Sequence, residues 1–188
     1  MKAARIRITN PVNLKGDVES DSDFLIYSGW GWLHADGDFR APGKTITFEE
    51  DDKGLSDSSY FAGVVDAALV KKGTASLELR GRSSGATNVL TAAGGRLRLT
   101  AEAAWEGPVV VQNGGLLALD GRDNLSSAAT LTVEEGGKVE IAEGVRVNAL
   151  VLNGQKMPVG VYSKANQPAF FDGAGHVVVG KATVVILR

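Results

Sequence analysis

Four residues near the start of the chain have the types and spacing to do chemistry on a ligand: Trp30, Trp32, His34 and Asp36. If residues 30–36 form a strand, alternation puts all four on one face. Two indoles beside an imidazole and a carboxylate can hold a sugar ring, with aromatic faces against its C–H groups and polar tips on its hydroxyls. The same tryptophans could instead plug the open end of a repeat protein as a large apolar cap. Acidic pairs are the other recurring chemical group: Asp21/Asp23, Asp36/Asp38, residues 49–52 and Glu134/Glu135. Asp-x-Asp spacing supplies hard oxygen ligands of the kind Ca²⁺ takes. Neither an EF-hand loop nor a serial Gly-Gly-x-Gly-x-Asp repeat is present, so these are expected to be solvated turn carboxylates and no metal site is assigned.

The inventory for catalysis is short. His34 and His176 are the only histidines and there is no cysteine, so a Ser-His-Asp arrangement would need one of these two. His176 alternates outward ahead of residues 177–179 and reads as a surface residue. No Gly-x-Ser-x-Gly elbow appears. Asn113-Gly114-Gly115 lacks the Lys-Ser/Thr of a phosphate loop and precedes a strand. Asn124-Leu125-Ser126 is a formal glycosylation triplet. No catalytic residue and no cofactor are assigned.

Composition narrows the classes further. The 20 Lys and Arg against 22 Asp and Glu leave a net charge of −2, with the signs interspersed. No basic patch exists to neutralise a phosphate backbone, so nucleic acid is not an expected partner. Zero cysteines exclude a disulfide scaffold and a thiolate metal site. No run reaches the ~18 apolar residues of a membrane span. The opening Met-Lys-Ala-Ala-Arg-Ile-Arg-Ile-Thr-Asn has no apolar stretch behind its basic residues and does not read as a signal peptide.

The elements that must position these side chains are announced by glycine. The chain holds 24 Gly but 5 Pro in 188 residues, which suits tight turns between many short strands. Gly73-Thr-Ala-Ser-Leu77-Glu-Leu79 is followed by Gly94-Gly95-Arg-Leu97-Arg-Leu99, Gly114-Gly115-Leu-Leu117-Ala-Leu119 and Gly136-Gly137-Lys-Val139-Glu-Ile141, at steps of 21, 20 and 22 residues. One supersecondary unit per repeat, each stacking on its neighbour, is the physical meaning of such a period. Propeller blades are longer, ankyrin and TPR units need helices, and the Asn ladder of a leucine-rich repeat is missing. A parallel β-solenoid remains, with inward Leu, Val and Ile columns and second strands at 87–90, 109–111 and 129–133. Residues 1–66 read as an irregular β cap with strands at 3–8, 24–28, 30–35 and 44–48 and a helical turn or two within 61–69. Residues 67–143 are the regular coils. Residues 144–188 are a closing segment that covers the open edge and ends in an apolar strand at 182–187.

Leu69-Val-Lys71-Lys-Gly73, Leu77-Glu-Leu79-Arg-Gly81 and Gly94-Gly-Arg-Leu97-Arg-Leu99 together resemble the autotransporter-associated β-strand repeat of bacterial exported passengers. The tail pieces Leu150-x-Leu152-x-Gly154, Gly160-x-Tyr162 and Phe171-x-Gly173-x-Gly175-x-Val177-x-Val179 are similar to a C-terminal segment of such proteins. The resemblance covers roughly residues 67–180 and implies a right-handed parallel β-helix secreted from, or displayed on, a bacterial cell. Nothing matches the membrane barrel of a true autotransporter, so a passenger-like piece or a small relative is expected, and the opening residues fit either a cytoplasmic chain or an exported one whose leader has been removed.

Three functional expectations follow. The first is a non-enzymatic structural or adhesive module of a secreted or cell-surface protein, meeting a surface polysaccharide or a host or cell-surface protein. The second is a module that binds or degrades polysaccharide, with Trp30, Trp32, His34 and Asp36 as its site. The third is a homo-oligomer joined through the end strands 3–8 and 182–187.

Overall fold

A computed structural model describes residues 4–51 and 58–180. These residues form a parallel β-solenoid of about seven turns, and no helix occurs among them. Each turn has three short sides. The first face is a ten-stranded sheet that begins with Ala4–Ile8 and Phe24–Ser28 and runs to Ala149–Leu152 and Gln155–Lys156. The second is an eight-stranded sheet from Val12–Leu14 to Phe171–Asp172. The third is sparser, with Val18 beside Phe39, Phe39 beside Val65 and Val65 beside Ser83. It continues through a Trp105–Leu125 bridge and ends in Gly144–Val147 paired with His176–Val179.

Register makes the core. On the second face Leu77 pairs with Leu97, Leu97 with Leu117 and Leu117 with Val139, so the leucines of successive repeats stand over each other. On the first face Ile46, Leu69, Leu90, Val109, Leu131 and Leu150 form the matching inward column. The residues between them on each strand point out, which gives the alternating burial of every rung. Two glycines show why the repeat begins as it does. Gly73 sits at φ +77°, and a Cβ there would lie 2.1 Å from the Glu50 carbonyl oxygen of the preceding rung; one on Gly115 would lie 2.1 Å from that of Ala92. Corners this close to the backbone beneath them exclude any side chain.

The rungs before Ala67 wind in register with the later ones: Phe24 pairs with Ile46, and Ile46 with Leu69. The helical turn expected within 61–69 is absent. That stretch holds the end of strand Ser59–Phe61, a turn, and the start of strand Val65–Lys72, whose Val65, Ala67, Leu69 and Lys71 point inward at period two. The run is apolar enough for either reading, but alternation decides it. The strand expected at 30–35 shortens to Leu33–Ala35, and residues 30–31 form a corner so close to the preceding rung that a Cβ on Gly31 would lie 2.3 Å from the Asn10 backbone. The one expected at 87–90 begins instead at Leu90.

At the far end, residues inserted between Leu152 and Phe171 supply antiparallel cover. Gln155–Lys156 folds back on Ala149–Leu152, and Gly160–Tyr162 pairs with His176–Val179. Antiparallel partners blunt a sheet edge that would otherwise stay open. Residues 182–187 and the acidic residue Asp52 lie outside the described residues.

Among the described residues the apolar interior also holds polar side chains, and one cluster of them lies at a corner. Ser28 and Glu50 are neighbours in an inward column, and Ser59 faces them from the second face. The Ser59 hydroxyl accepts from the Leu33 amide at 2.9 Å and donates to Glu50 Oε2 at 2.7 Å. Lys71, 0% exposed, turns its ammonium back on the glycine corners and donates to the carbonyls of Lys72, Gly73 and Gly94 at 2.6, 3.2 and 3.3 Å. Burial lowers its pKa to about 8, against the opposing pull of the Glu50 and Asp51 charges.

Two outcomes are expected. Leu97→Ala opens a hole in the middle of an aliphatic column and should cost about 2–5 kcal/mol in denaturant unfolding. For Lys71 the folded pKa is lower than the unfolded value of 10.5, so the unfolded chain binds more protons between about pH 8 and 10.5 and stability rises with pH in that window. Measured as the difference from Lys71→Met, wild-type stability should increase by up to ~3 kcal/mol from pH 8 to 10.5. A flat difference would mean that the buried amine does not titrate there.

Candidate functional site

The second face carries the densest array of chemically capable side chains, because its outward column is set by register: Asn13, His34, Tyr60, Glu78, Arg98, Ala118, Glu140 and Asp172 in turn. His34 lies between two rings. Trp32, two residues earlier, stacks on it at 3.8 Å and 21°, and Tyr60, one rung on, stacks at 4.3 Å and 23°. Parallel partners of one small ring must occupy opposite faces of it. Arg80 then lies 3.8 Å over the Tyr60 ring, on the side away from His34. The result is a four-layer column, Trp32–His34–Tyr60–Arg80, in which the aromatic faces of His34 and Tyr60 are already used. The face left for a ligand is the outer one of Trp32.

A charged ladder runs through the same column. Lys15 donates to Asp36 Oδ2 at 2.5 Å, and the Tyr60 hydroxyl donates to Asp36 Oδ1 at 3.0 Å. Arg80 donates twice to Glu78 Oε2, at 3.0 and 2.8 Å, and Arg98 spans from Glu78 Oε1 at 3.1 Å to Asp120 Oδ2 at 2.7 Å. The titrations follow these contacts. Hydrogen bonds from Lys15 and Tyr60 hold the Asp36 carboxyl below its ordinary value, and the same Lys15–Asp36 bond raises the lysine. Burial, then the bond to Asp36, raises Tyr60. Burial would raise Glu78, but the hydrogen bonds and charges of Arg80 and Arg98 outweigh it and leave the carboxyl low.

The structure thus brings together Trp32, His34 and Asp36 of the four expected site residues, and adds Tyr60, Arg80 and Lys15 from neighbouring rungs. Trp30 stays out of the stack and is 69% exposed on the corner beside it. Neither tryptophan plugs the end of the solenoid: the buried indole is Trp105, whose Nε1 donates to the Asn88 carbonyl at 2.9 Å. An inward-facing cap needs an inward position, and residues 30 and 32 fall on the corner and on the outward set.

Of the acidic pairs expected as solvated turn carboxylates, Asp21, Glu134 and Glu135 are exposed, whereas Glu49 and Glu50 end the strand Phe39–Glu50 and Glu50 is buried, because its strand position faces inward; Asp23 and Asp38, with Asp17, bind backbone amides. Asp17 accepts from the Asp38 amide, Asp38 from Val64 and Asp23 from Thr45, each clasping its own rung to the next. Among the described residues no group of three or more His, Cys, Asp and Glu is placed to hold a metal ion. His176 is exposed on the last rung, far along the axis from His34. Asn124 is 0% exposed, with its amide nitrogen committed to the carbonyls of Thr100 and Ala103, so the glycosylation triplet is closed to modification. Arg40, Pro42 and Lys44 line a surface depression of about 850 Å³ with Glu19, Asp21 and Ser22, made by the bulge between Arg40 and Thr45.

Removing the central ring tests the column. Tyr60→Ala should lose about 1–2 kcal/mol of stability through the two stacking contacts and flatten the near-ultraviolet dichroism of Trp32; an unchanged aromatic spectrum would show that the stack is not held in solution. No protein-family model matches this chain, and no curated protein or solved structure matches it either.

Proposed function

We propose that this chain is a non-enzymatic structural or adhesive module of a bacterial exported or cell-surface protein: a stiff rod whose outer faces are its working surfaces. The observation that carries this reading is the continuous parallel pairing of the first face from Ala4–Ile8 to Ala149–Leu152, supported by side chains that bridge neighbouring rungs, Asp17 and Asp38 at one corner and Glu78, Arg98 and Asp120 on the second face. Such a ladder resists local opening, since no rung can leave without uncovering two others. Export rests on the resemblance of the repeat and tail pieces to autotransporter-associated passengers.

A second reading, carbohydrate binding, is favoured by one specific arrangement. The exposed Trp30 and the free face of Trp32 sit beside the Lys15–Asp36 pair, which offers apolar faces and polar tips within one patch. The patch would take a single sugar ring or a chain end, since the faces of His34 and Tyr60 are occupied. End-to-end assembly has a smaller basis. Ile6 and Val12, which begin inward columns, remain 44% and 36% exposed on the first rung.

An oligosaccharide array separates these readings. The carbohydrate reading expects specific binding that falls at least tenfold in Trp32→Ala and in Trp30→Ala. A silent array would remove that reading and leave the rod. Turnover of acidic polysaccharides dependent on added Ca²⁺ would overturn the non-enzymatic assignment itself.

A further inference from the structure

The first face carries a pattern that neither the rod nor the aromatic patch uses. Its outward column runs Thr47, Val70, Thr91, Val110, Thr132 and Val151 in unbroken register. Beside it stand Thr45 paired with Ala68 and Thr130 paired with Ala149. None of these residues is charged. Each of the six in the column is half-buried between two inward-pointing neighbours. Charge stands around the strip: in the column itself Leu25 precedes Thr47 and Arg5 precedes Leu25, and Lys156 pairs with Val151 at the other end; to the sides lie Glu49, Lys72 and Glu134 two residues further along and Asp66 and Glu106 two residues before the strip. Strand propensity alone does not account for this, because the equally extended second face shows Glu78, Arg98 and Glu140 at its outward positions.

The size and content of the strip decide what can cover it. With rungs ~4.8 Å apart it is about 24 Å long and two side chains wide. That area is on the order of 200 Å², against the ~800 Å² per partner of a stable protein interface. It also lacks the aromatic, Met or Arg anchors on which such interfaces depend. A crystalline sugar surface would want rings against its C–H faces, and the strip has none. What it does have is periodicity: methyl groups and hydroxyls repeated at one interval, on β-branched side chains with little χ1 freedom to lose.

We propose that the first face binds ice. The occupant is a water lattice, whose own repeat lies close to the rung spacing, so successive rungs meet equivalent lattice sites. Threonine hydroxyls, each one donor and two acceptors, take the place of lattice waters. The Val and Thr methyls hold ordered water between them. Charged side chains, whose hydration shells do not fit a lattice, are kept to the margins. The reading is independent of the aromatic patch, which lies on another face.

The test uses the whole chain and ice as the probe: recrystallisation inhibition, thermal hysteresis and partition into a slowly grown ice front. Wild type is expected to arrest ice growth at micromolar concentration. Thr91→Lys and Thr132→Lys should each weaken it at least tenfold while keeping the wild-type melting temperature within a few degrees. Glu102→Lys, on an exposed turn off the strip, should leave it unchanged. Should the lysine variants fail to fold, Thr91→Ser with Thr132→Ser keeps the hydroxyls, removes the methyls and is expected to lose most of the effect. A wild-type chain that behaves like an equal concentration of serum albumin, or lysine variants with full activity, would overturn the proposal.

Discussion

The backbone hydrogen bonds that join each rung to the next govern everything else in this molecule. They run along the axis on three faces at once, so one rung cannot shift register on one face without breaking the others. Register, once shared, places Leu97 between Leu77 and Leu117 and leaves the interior side chains no choice of neighbour. A slip of one residue would turn every inward leucine to solvent and every outward arginine to the core. The solenoid is therefore specified by a column of constraints, each modest, that fail together or not at all.

Such stacking also concentrates polar groups at the corners, where the chain turns between faces and its carbonyls point across to neighbouring rungs. Buried side-chain donors meet this demand. Asn124 bonds two carbonyls and accepts from the Gly121 amide. The indole of Trp105 caps Asn88, and Lys71 serves the carbonyls of three residues on two rungs. A cation is an expensive donor in an apolar interior, and its lowered pKa records that cost. Its position two residues before Gly73 explains its presence: the glycine corner exposes the carbonyls that the ammonium then covers.

The fold was legible because two signals, the Gly-Gly interval and the Leu-x-Leu alternation, report the same rung. The regular coils, the strand at Val109–Val111 and the closing role of the tail could be read directly. Rungs before Ala67 were harder to see, since Phe, Ile and Ala replace leucine there and the corners lack glycine pairs, yet the same register holds them. The candidate site was legible in part. Alternation brought Trp32, His34 and Asp36 to one face, but Tyr60, Arg80 and Lys15 arrive from other rungs at separations of about one turn. Spacing within a strand cannot reveal a neighbour that register supplies. The expected cap of tryptophans failed for a related reason, because size and hydrophobicity do not say whether a position faces inward.

Because the ladder and the aliphatic columns hold the rungs, the outward side chains need contribute little to stability, and the two main faces have diverged. On the second face Arg96 reaches across an entire rung to Glu140 at 2.9 Å, and Ala118 on the rung between is buried. Exposed ion pairs of this kind add only tenths of a kilocalorie each, so a ladder of them is better understood as fixing side-chain positions than as holding the fold. The first face, built on the same backbone, keeps no charge at all along its middle. One scaffold with one core thus carries a cross-braced polar surface and a plain periodic one. A difference that stability does not require is where selection for contact with something outside the chain would be written.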